Sequence, residues 1–225
     1  MHDLVALLPM KARSERIENK NFREFNGKML FQWILDTLLS IEEIERVVIN
    51  TDARGVLEGK GLKDSPRVLI RDRKPEICGE LISMNRVLAD DVEHVEARTY
   101  LMTHTTNPLL GADTIRRAMN QYQRSLDHRF DSLFAVNKVQ SRFYREDGSA
   151  VNHDPSNLLR TQNLEPWFEE NSLLYLFSRQ SFRKTGSRIG STPYMFEIPK
   201  IESMDIDDQE DWMIAEAVSF YVNRK

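Results

Sequence analysis

The stretch Leu4–Asn21, LVALLPMKARSERIENKN, decides the fold. Leu4–Pro9 is a short continuous apolar run, the mark of a strand buried on both faces of a parallel sheet. It runs straight into a polar loop carrying Lys11, Arg13, Arg16, Lys20 and, just beyond, Arg23. Outward from it, RVVIN (Arg46–Asn50), RVLI (Arg67–Ile70), TYLMT (Thr99–Thr103), SLFAV (Ser132–Val136) and LLYLF (Leu173–Phe177) read as further strands. Helical spacing runs through Met29–Ser40 (Leu30, Ile34, Leu35, Leu38) and Glu80–Asp90 (Leu81, Met84, Val87, Leu88). It recurs in a helix capped by Asp113 (Ile115, Ala118, Met119, Tyr122) and in Asp208–Asn223 (Trp212, Ala215, Val218, Tyr221). Short apolar strands alternating with amphipathic helices predict an α/β fold, a mainly parallel sheet covered on both faces. Ligands then bind beyond the carboxyl ends of the strands, which points to Lys11–Asn21, Thr51–Arg54, Arg71–Cys78 and His104–Leu110. The polar stretch at about 140–170, with Asp154-Pro155, breaks the alternation. It reads as an excursion from a single 1–225 domain, such as a β-hairpin arm used in dimerisation.

The 225 residues carry 31 Lys+Arg and 35 Asp+Glu, a net charge of −4. A sequence pI of about 5.8 argues against a general nucleic-acid binder. Cys78 is the only cysteine, so no intrachain disulfide is possible. The N-terminus has no basic n-region or cleavage site, and no window approaches the ~18 apolar residues of a membrane span. These features lead us to expect a cytoplasmic protein with no membrane partner. The charge is split: six bases and three acids lie between Lys11 and Lys28, and six acids and no base between Ile201 and Asp211.

Each pole has a chemical reading. A basic loop leaving a strand end can turn N–H groups and side-chain cations onto a polyphosphate, though no Walker pattern is present. Asp52, after the strand VVINT, can hold a ribose hydroxyl or a metal; an ordinary turn is the plainer alternative. His104, Thr105, Thr106 and Asn107 form a recognition loop for a polar ligand. Asp205 and Asp207, at i and i+2, share a face if the segment is a strand. Their repulsion would be relieved by Mg²⁺, which typically takes one or two carboxylates plus phosphate oxygens. Alternatively Asp207 and Asp208 cap the last helix. Arg160-Thr161-Gln162 and Glu169-Glu170-Asn171, close to a strand start, could line a second substrate pocket, with a surface loop the plainer reading.

Taken together, these segments resemble the acylneuraminate cytidylyltransferase family, the CMP-sialic acid and CMP-nonulosonic acid synthetases, with CMP-Kdo synthetases more distant. Pro9–Asn21 is similar to the signature P-A-R-x-x-S-K-x-I-x-x-K-N, Asn26–Leu30 to G-G-K-P-L and Asn50-Thr51-Asp52 to S-T-D. His104–Leu109 is similar to Q-P-T-S-P-L, Arg160-Thr161-Gln162 to R-x-Q, and Glu170-Asn171-Ser172 to E-N-G. Asp205-Ile206-Asp207 with Asp211-Trp212 is similar to D-I-D…D-(L/F). The match runs from about Leu4 to Tyr221.

The resemblance implies a three-layer αβα sandwich with a mainly parallel mixed sheet, working as a homodimer. It implies an enzyme transferring CMP from CTP to an acidic sugar, with release of pyrophosphate. Lys11, Arg16 and Lys20 would meet the triphosphate, with Lys11 and Lys20 nearest the transferring group, and Asn21 would hold phosphate or metal. Ala12 and Ser14 would lie against cytosine and ribose, Asp52 and Arg71 would contact the nucleotide, and Arg73 is a looser candidate. His104, Thr106, Asn107 and Gln162 would meet the acceptor, and Asp205 and Asp207 would hold Mg²⁺. The departures are Lys11 for the first arginine, Glu15 for the signature lysine, His104 for glutamine and Leu110 for arginine. The CTP half is thus better preserved than the sugar half. A metal-dependent glycosyltransferase and a non-catalytic nucleotide-binding relative are the alternatives.

Overall fold

Alternation along the first strand, β1 (His2–Leu7), sorts the core into two layers. Leu4 and Ala6, with Leu8 just beyond, face one apolar cluster, and Val5 and Leu7 face the other. The computed structural model describes residues 1–79 and 81–222. After β1 come β2 (Glu24–Phe25), β3 (Lys28–Met29), α1 (Leu30–Leu39), β4 (Arg46–Thr51), α2 (Arg54–Gly59) and β5 (Val68–Asp72). Then follow α3 (Met84–His94), β6 (Ala97–Thr103), α4 (Ala112–Leu126), β7 (Ser132–Val139) and β8 (Trp167–Ser178). The chain closes with α5 (Arg179–Thr185), β9 (Pro193–Glu197) and α6 (Gln209–Val222).

Seven strands form one sheet in the order β5-β4-β1-β6-β8-β7-β9, and β2 and β3 form a small hairpin. Only β8 runs against its neighbours. Phe31, Ile34, Leu35 and Leu38 of α1, with Ile115, Ala118 and Tyr122 of α4, bury against one face. Leu88 and Val92 of α3 and Phe182 of α5 bury against the other, which completes the three layers. The chain steps from β1 outward through β4 to β5, then returns to β6 on the opposite side of β1. This reversal leaves a crevice at the carboxyl ends of β1 and β6, where such sheets bind ligands.

Several boundaries differ from the sequence reading. The third helix starts at Met84, after Ser83 in extended conformation. Leu81 is fully exposed rather than on its apolar face, and Glu80 lies outside the described residues. Gly111, not Asp113, is the N-cap of α4; Asp113 sits in its first turn, where a carboxylate suits the dipole. Tyr221 is exposed on α6, and Asn223 lies outside the described residues. The excursion is shorter than expected, because Glu169 and Glu170 pair with Asn137 and Val136 inside the β7–β8 ladder. Within it, the expected β-hairpin arm is reduced to a bridge between Tyr144 and Ala150. The edge strand β9 was not expected; it begins with a proline, and its residues are only partly buried. No helix among the described residues is long and apolar enough to cross a membrane.

Candidate active site

A cleft of about 520 Å³ opens at the carboxyl ends of β1 and β6. The loop Pro9–Arg16, Lys20 and Asn21 form one wall. Asp52, Arg73 and Met84 close a second side, and His104–Thr106 and Asp207 a third. The basic loop can stand in this shape because one apolar residue in its polar run, Ile17, is buried. Ile17 packs with Phe25, Leu30, Ile206, Trp212 and Ala215 in a third cluster. That cluster joins the N-terminal loop to the acidic C-terminal segment. Arg23 adds a cation–π contact, its guanidinium 4.5 Å from the Trp212 ring centroid. Asn19 takes φ 51°, a left-handed conformation that asparagine tolerates, and turns Lys20 inward.

Lys20 is buried, and its ammonium donates to the Ile206 carbonyl at 2.6 Å. The Asp207 carboxylate lies 3.8 Å from it. Burial lowers its pKa from the ordinary lysine range, against the pull of Asp207 and Asp205. Arg16 pairs with the other oxygen of Asp207 at 3.0 Å. Lys11, Arg13, Glu15 and Arg16 are exposed on the cleft wall. Asp52 accepts the Ala12 N–H at 2.6 Å and so holds the loop. Ala12 and Ser14 line the cleft beside it.

Met204–Asp207 in the acidic segment take no regular secondary structure, so Asp205 and Asp207 do not sit on a strand. Ile206 points into the third cluster, while its N–H donates to the Thr106 carbonyl at 3.0 Å. Asp208 and Asp211 cap α6 reciprocally. Asp208 Oδ1 accepts the Asp211 N–H at 3.0 Å, and Asp211 Oδ2 accepts the Asp208 N–H at 3.1 Å. Asp207 is thereby left to face the cleft. Asp205 is half-buried behind it, and burial raises its carboxyl pKa against a hydrogen bond from Thr106, with Asp207 raising it further. One buried oxygen of Asp205, Oδ1, has no hydrogen-bond partner.

Four expected contacts are not at the cleft surface or are already committed. Arg71 lies on β5 with its guanidinium on Asp90, at 2.8 Å, and on Asp91. Arg73, two residues on, is the arginine that reaches the cleft. Buried, it donates to the Asn50 side chain at 2.9 Å and to the Asn50 and Met10 carbonyls at 2.7 and 3.3 Å. Asn21 has both ends of its amide engaged: Nδ2 donates to the Lys11 carbonyl at 2.9 Å, and Oδ1 accepts from Thr105 at 2.7 Å. It clamps the loop to β6 rather than a phosphate or metal. Asn107 is fully buried and donates to the Met204 carbonyl at 3.3 Å. Gln162 sits in an exposed turn of the excursion, away from the cleft, its carbonyl accepting from Gln140. Gly79 and Met84 line the cleft without having been singled out for it. Gly79, at φ 111°, carries the one signal available, a glycine where the chain turns after a strand.

His104 does line the cleft, half-buried. Burial, with the cations of Arg188 and Lys20, pushes its pKa down to about 3. The imidazole is therefore neutral. As pH falls below about 6.5, the unfolded chain takes up a proton that the folded chain refuses, so stability falls towards pH 3. His104→Gln removes this loss. It should gain about 2 kcal/mol at pH 5, or about 4–8 °C in Tm, and nothing at pH 8. Melting curves at the two pH values check it, and equal shifts at both would contradict it. For Arg71→Met we expect a loss of about 3 kcal/mol, because Asp91 stays buried without its cation. The KM for nucleotide should stay unchanged, and a raised KM would return Arg71 to the site.

The sequence model described as "Cytidylyltransferase" matches residues 5–220. The chain belongs to the cytidylyltransferase family. It is a nucleotidyltransferase, which sets aside the glycosyltransferase alternative. Among the relatives of this cytidylyltransferase is the pseudaminic acid cytidylyltransferase of Campylobacter jejuni, 21% identical over 98% of this chain and 97% of that protein. The N-acylneuraminate cytidylyltransferase of Streptococcus agalactiae is 19% identical over 93% of this chain, which spans 51% of that longer protein. Among solved structures, a CMP-2-keto-3-deoxy-manno-octonic acid synthetase complexed with CTP matches with a TM-score of 0.66. It is 13% identical, covering 99% of this chain and 100% of that one. The 4-diphosphocytidyl-2C-methyl-D-erythritol synthase of Anaerococcus prevotii matches with a TM-score of 0.67, at 10% identity and 99% coverage of both chains. These likenesses establish the αβα fold of the cytidylyltransferase.

Proposed function

We propose that this cytidylyltransferase moves CMP from CTP to the anomeric hydroxyl of an acidic sugar, for surface glycan synthesis. The acceptor oxygen attacks the α-phosphorus in line, the bond to the β-phosphate oxygen breaks, and pyrophosphate leaves. The observation that carries this reading is the convergence of cations of two kinds on one crevice. Lys20 and Arg73 are buried and fixed, while Lys11, Arg13 and Arg16 are exposed on the cleft wall, Arg16 in a surface pair with Asp207. Fixed cations stabilise the charge developing on the leaving group without reorganising, and exposed ones gather the triphosphate. Ala12 and Ser14 border the base and ribose, and Asp52 offers its second oxygen to a ribose hydroxyl.

Asp205 and Asp207 suit a divalent cation. Asp205 carries a buried oxygen without a partner, and the two carboxylates repel each other. No group of three or more potential ligands occurs among the described residues, so Mg²⁺ would complete its shell with phosphate oxygens and water. Such an ion supplies neutralisation of triphosphate charge. Arg16 answers the Asp207 charge in its absence.

Thr106 and neutral His104 face the acceptor. The names of the relatives favour a nonulosonic acid such as pseudaminic or an N-acylneuraminic acid. A homodimer formed through the excursion is supported by its exposed Tyr144, Leu158 and Leu159. CTP as substrate assigns the reaction to the cytoplasm. Pyrophosphate release from CTP and Mg²⁺, with pseudaminic, N-acetylneuraminic and 2-keto-3-deoxy-octonic acids offered singly, tests the reading. Release that depends on one of these acids is expected, and no release with any of them would overturn it.

A further inference from the structure

Arg188 has donors that the protein does not use. Its side chain is 17% exposed, and its carrier loop follows α5. A guanidinium offers five N–H donors. Among the described residues, its one hydrogen-bond acceptor is the Met102 thioether, at 3.8 Å. Glu170 forms an ion pair with it at 3.6 Å, longer than a hydrogen bond, and the same carboxylate accepts from the Tyr175 hydroxyl. The Tyr175 ring supports the cation from one side, its centroid 3.9 Å from the guanidinium carbon. Arg71 and Arg73, buried to a similar degree, each make close contacts to protein oxygens. A half-buried guanidinium whose one oxygen partner is a long ion pair keeps donors for a further anion.

Its position fits the acceptor end of the cleft. Met102 lies two residues before His104, which lines the cleft, and the Arg188 charge acts on that imidazole. The Arg188 backbone N–H donates to the Asn85 side chain at 3.2 Å, beside Met84, another lining residue. The loop is fixed from below. Asp131 accepts the N–H groups of Ser191 and Thr192 at 2.8 and 3.0 Å, and a Cβ on Gly190 would overlap that carboxylate. The guanidinium is thus pre-positioned rather than loose.

We propose that Arg188 is the specificity residue that reads the carboxylate of the acceptor sugar, beside an uncharged His104. The inference rests on the cytidylyl-transfer reading. Its test compares each active acid with its own primary amide, which keeps the shape and removes the charge. The unaltered chain should prefer the acid. Arg188→Gln should lower kcat/KM for the acid about tenfold to a hundredfold, leaving the amide rate, the KM for CTP and the Tm nearly unchanged. Arg188→Lys keeps the charge without the bidentate fork, and should retain part of the preference. Equal losses on acid and amide, or an unchanged preference in either variant, would overturn the role of Arg188 alone. An unaltered chain inactive with every acid would overturn the cytidylyl-transfer reading, and this inference with it.

Discussion

Lys20→Met should lower kcat for cytidylyl transfer by about 10²–10³-fold, the usual cost of removing one fixed charge donor from a reacting group. The ammonium is buried at the mouth of β1 and cannot be replaced by water without rebuilding the wall. Methionine preserves most of the aliphatic volume, so the loop should stay packed through Ile17. The Ile206 carbonyl loses its 2.6 Å donor, which should cost about 1–2 kcal/mol of stability. Steady-state rates and a melting curve on the same preparation separate the two effects. A rate within fivefold of the unaltered chain would remove Lys20 from the reaction.

The second large effect is expected at Asp207. Asp207→Ala should reduce transfer by about 10²-fold and shift the Mg²⁺ dependence of the rate to higher concentration. CTP binding measured calorimetrically without metal should change little. The ion pair that Asp207 makes with Arg16 is more than half exposed on both sides, so its loss should cost at most a few tenths of a kcal/mol. The α6 cap should survive, because it is made by Asp208 and Asp211. Unchanged activity in Asp207→Ala would disprove the metal assignment and leave Asp207 as a partner of Arg16.

The residues legible from sequence were those fixed by period and by strand ends. The six expected strands and the positions of α1 and α4 followed from apolar spacing, because both faces of this sheet are buried and its signal is strong. Lys11, Arg16 and Lys20 were visible because they lie on one basic loop that leaves an apolar strand, and Asp207 because it stands two residues from a second carboxylate, Asp205. Arg71 and Arg73 show where that logic stops. Both follow the same strand, both are arginines, and sequence spacing alone does not tell them apart. The difference is made by α3, which carries Asp90 and Asp91 up to Arg71 and leaves Arg73 to the cleft. Asn21 and Asn107 meet the same limit. An amide at a strand end serves equally to bind a ligand or to tie one loop to another, and here neighbours in space, Thr105 and Met204, decide. Arg188 had no sequence signal at all, since its surroundings come from β6, β8 and α3.

The departures from the family pattern, Lys11 and Glu15, lie on the exposed part of the basic loop, while the buried Lys20 and Arg73 are in place. The non-catalytic alternative therefore turns on turnover itself. Phosphorus NMR of the chain with CTP, Mg²⁺ and an acidic sugar follows it directly. The account predicts that the three CTP resonances decline together while one phosphodiester and one pyrophosphate resonance grow, only when the acid is present. Intact CTP with every acid, or orthophosphate appearing without acceptor, would contradict it.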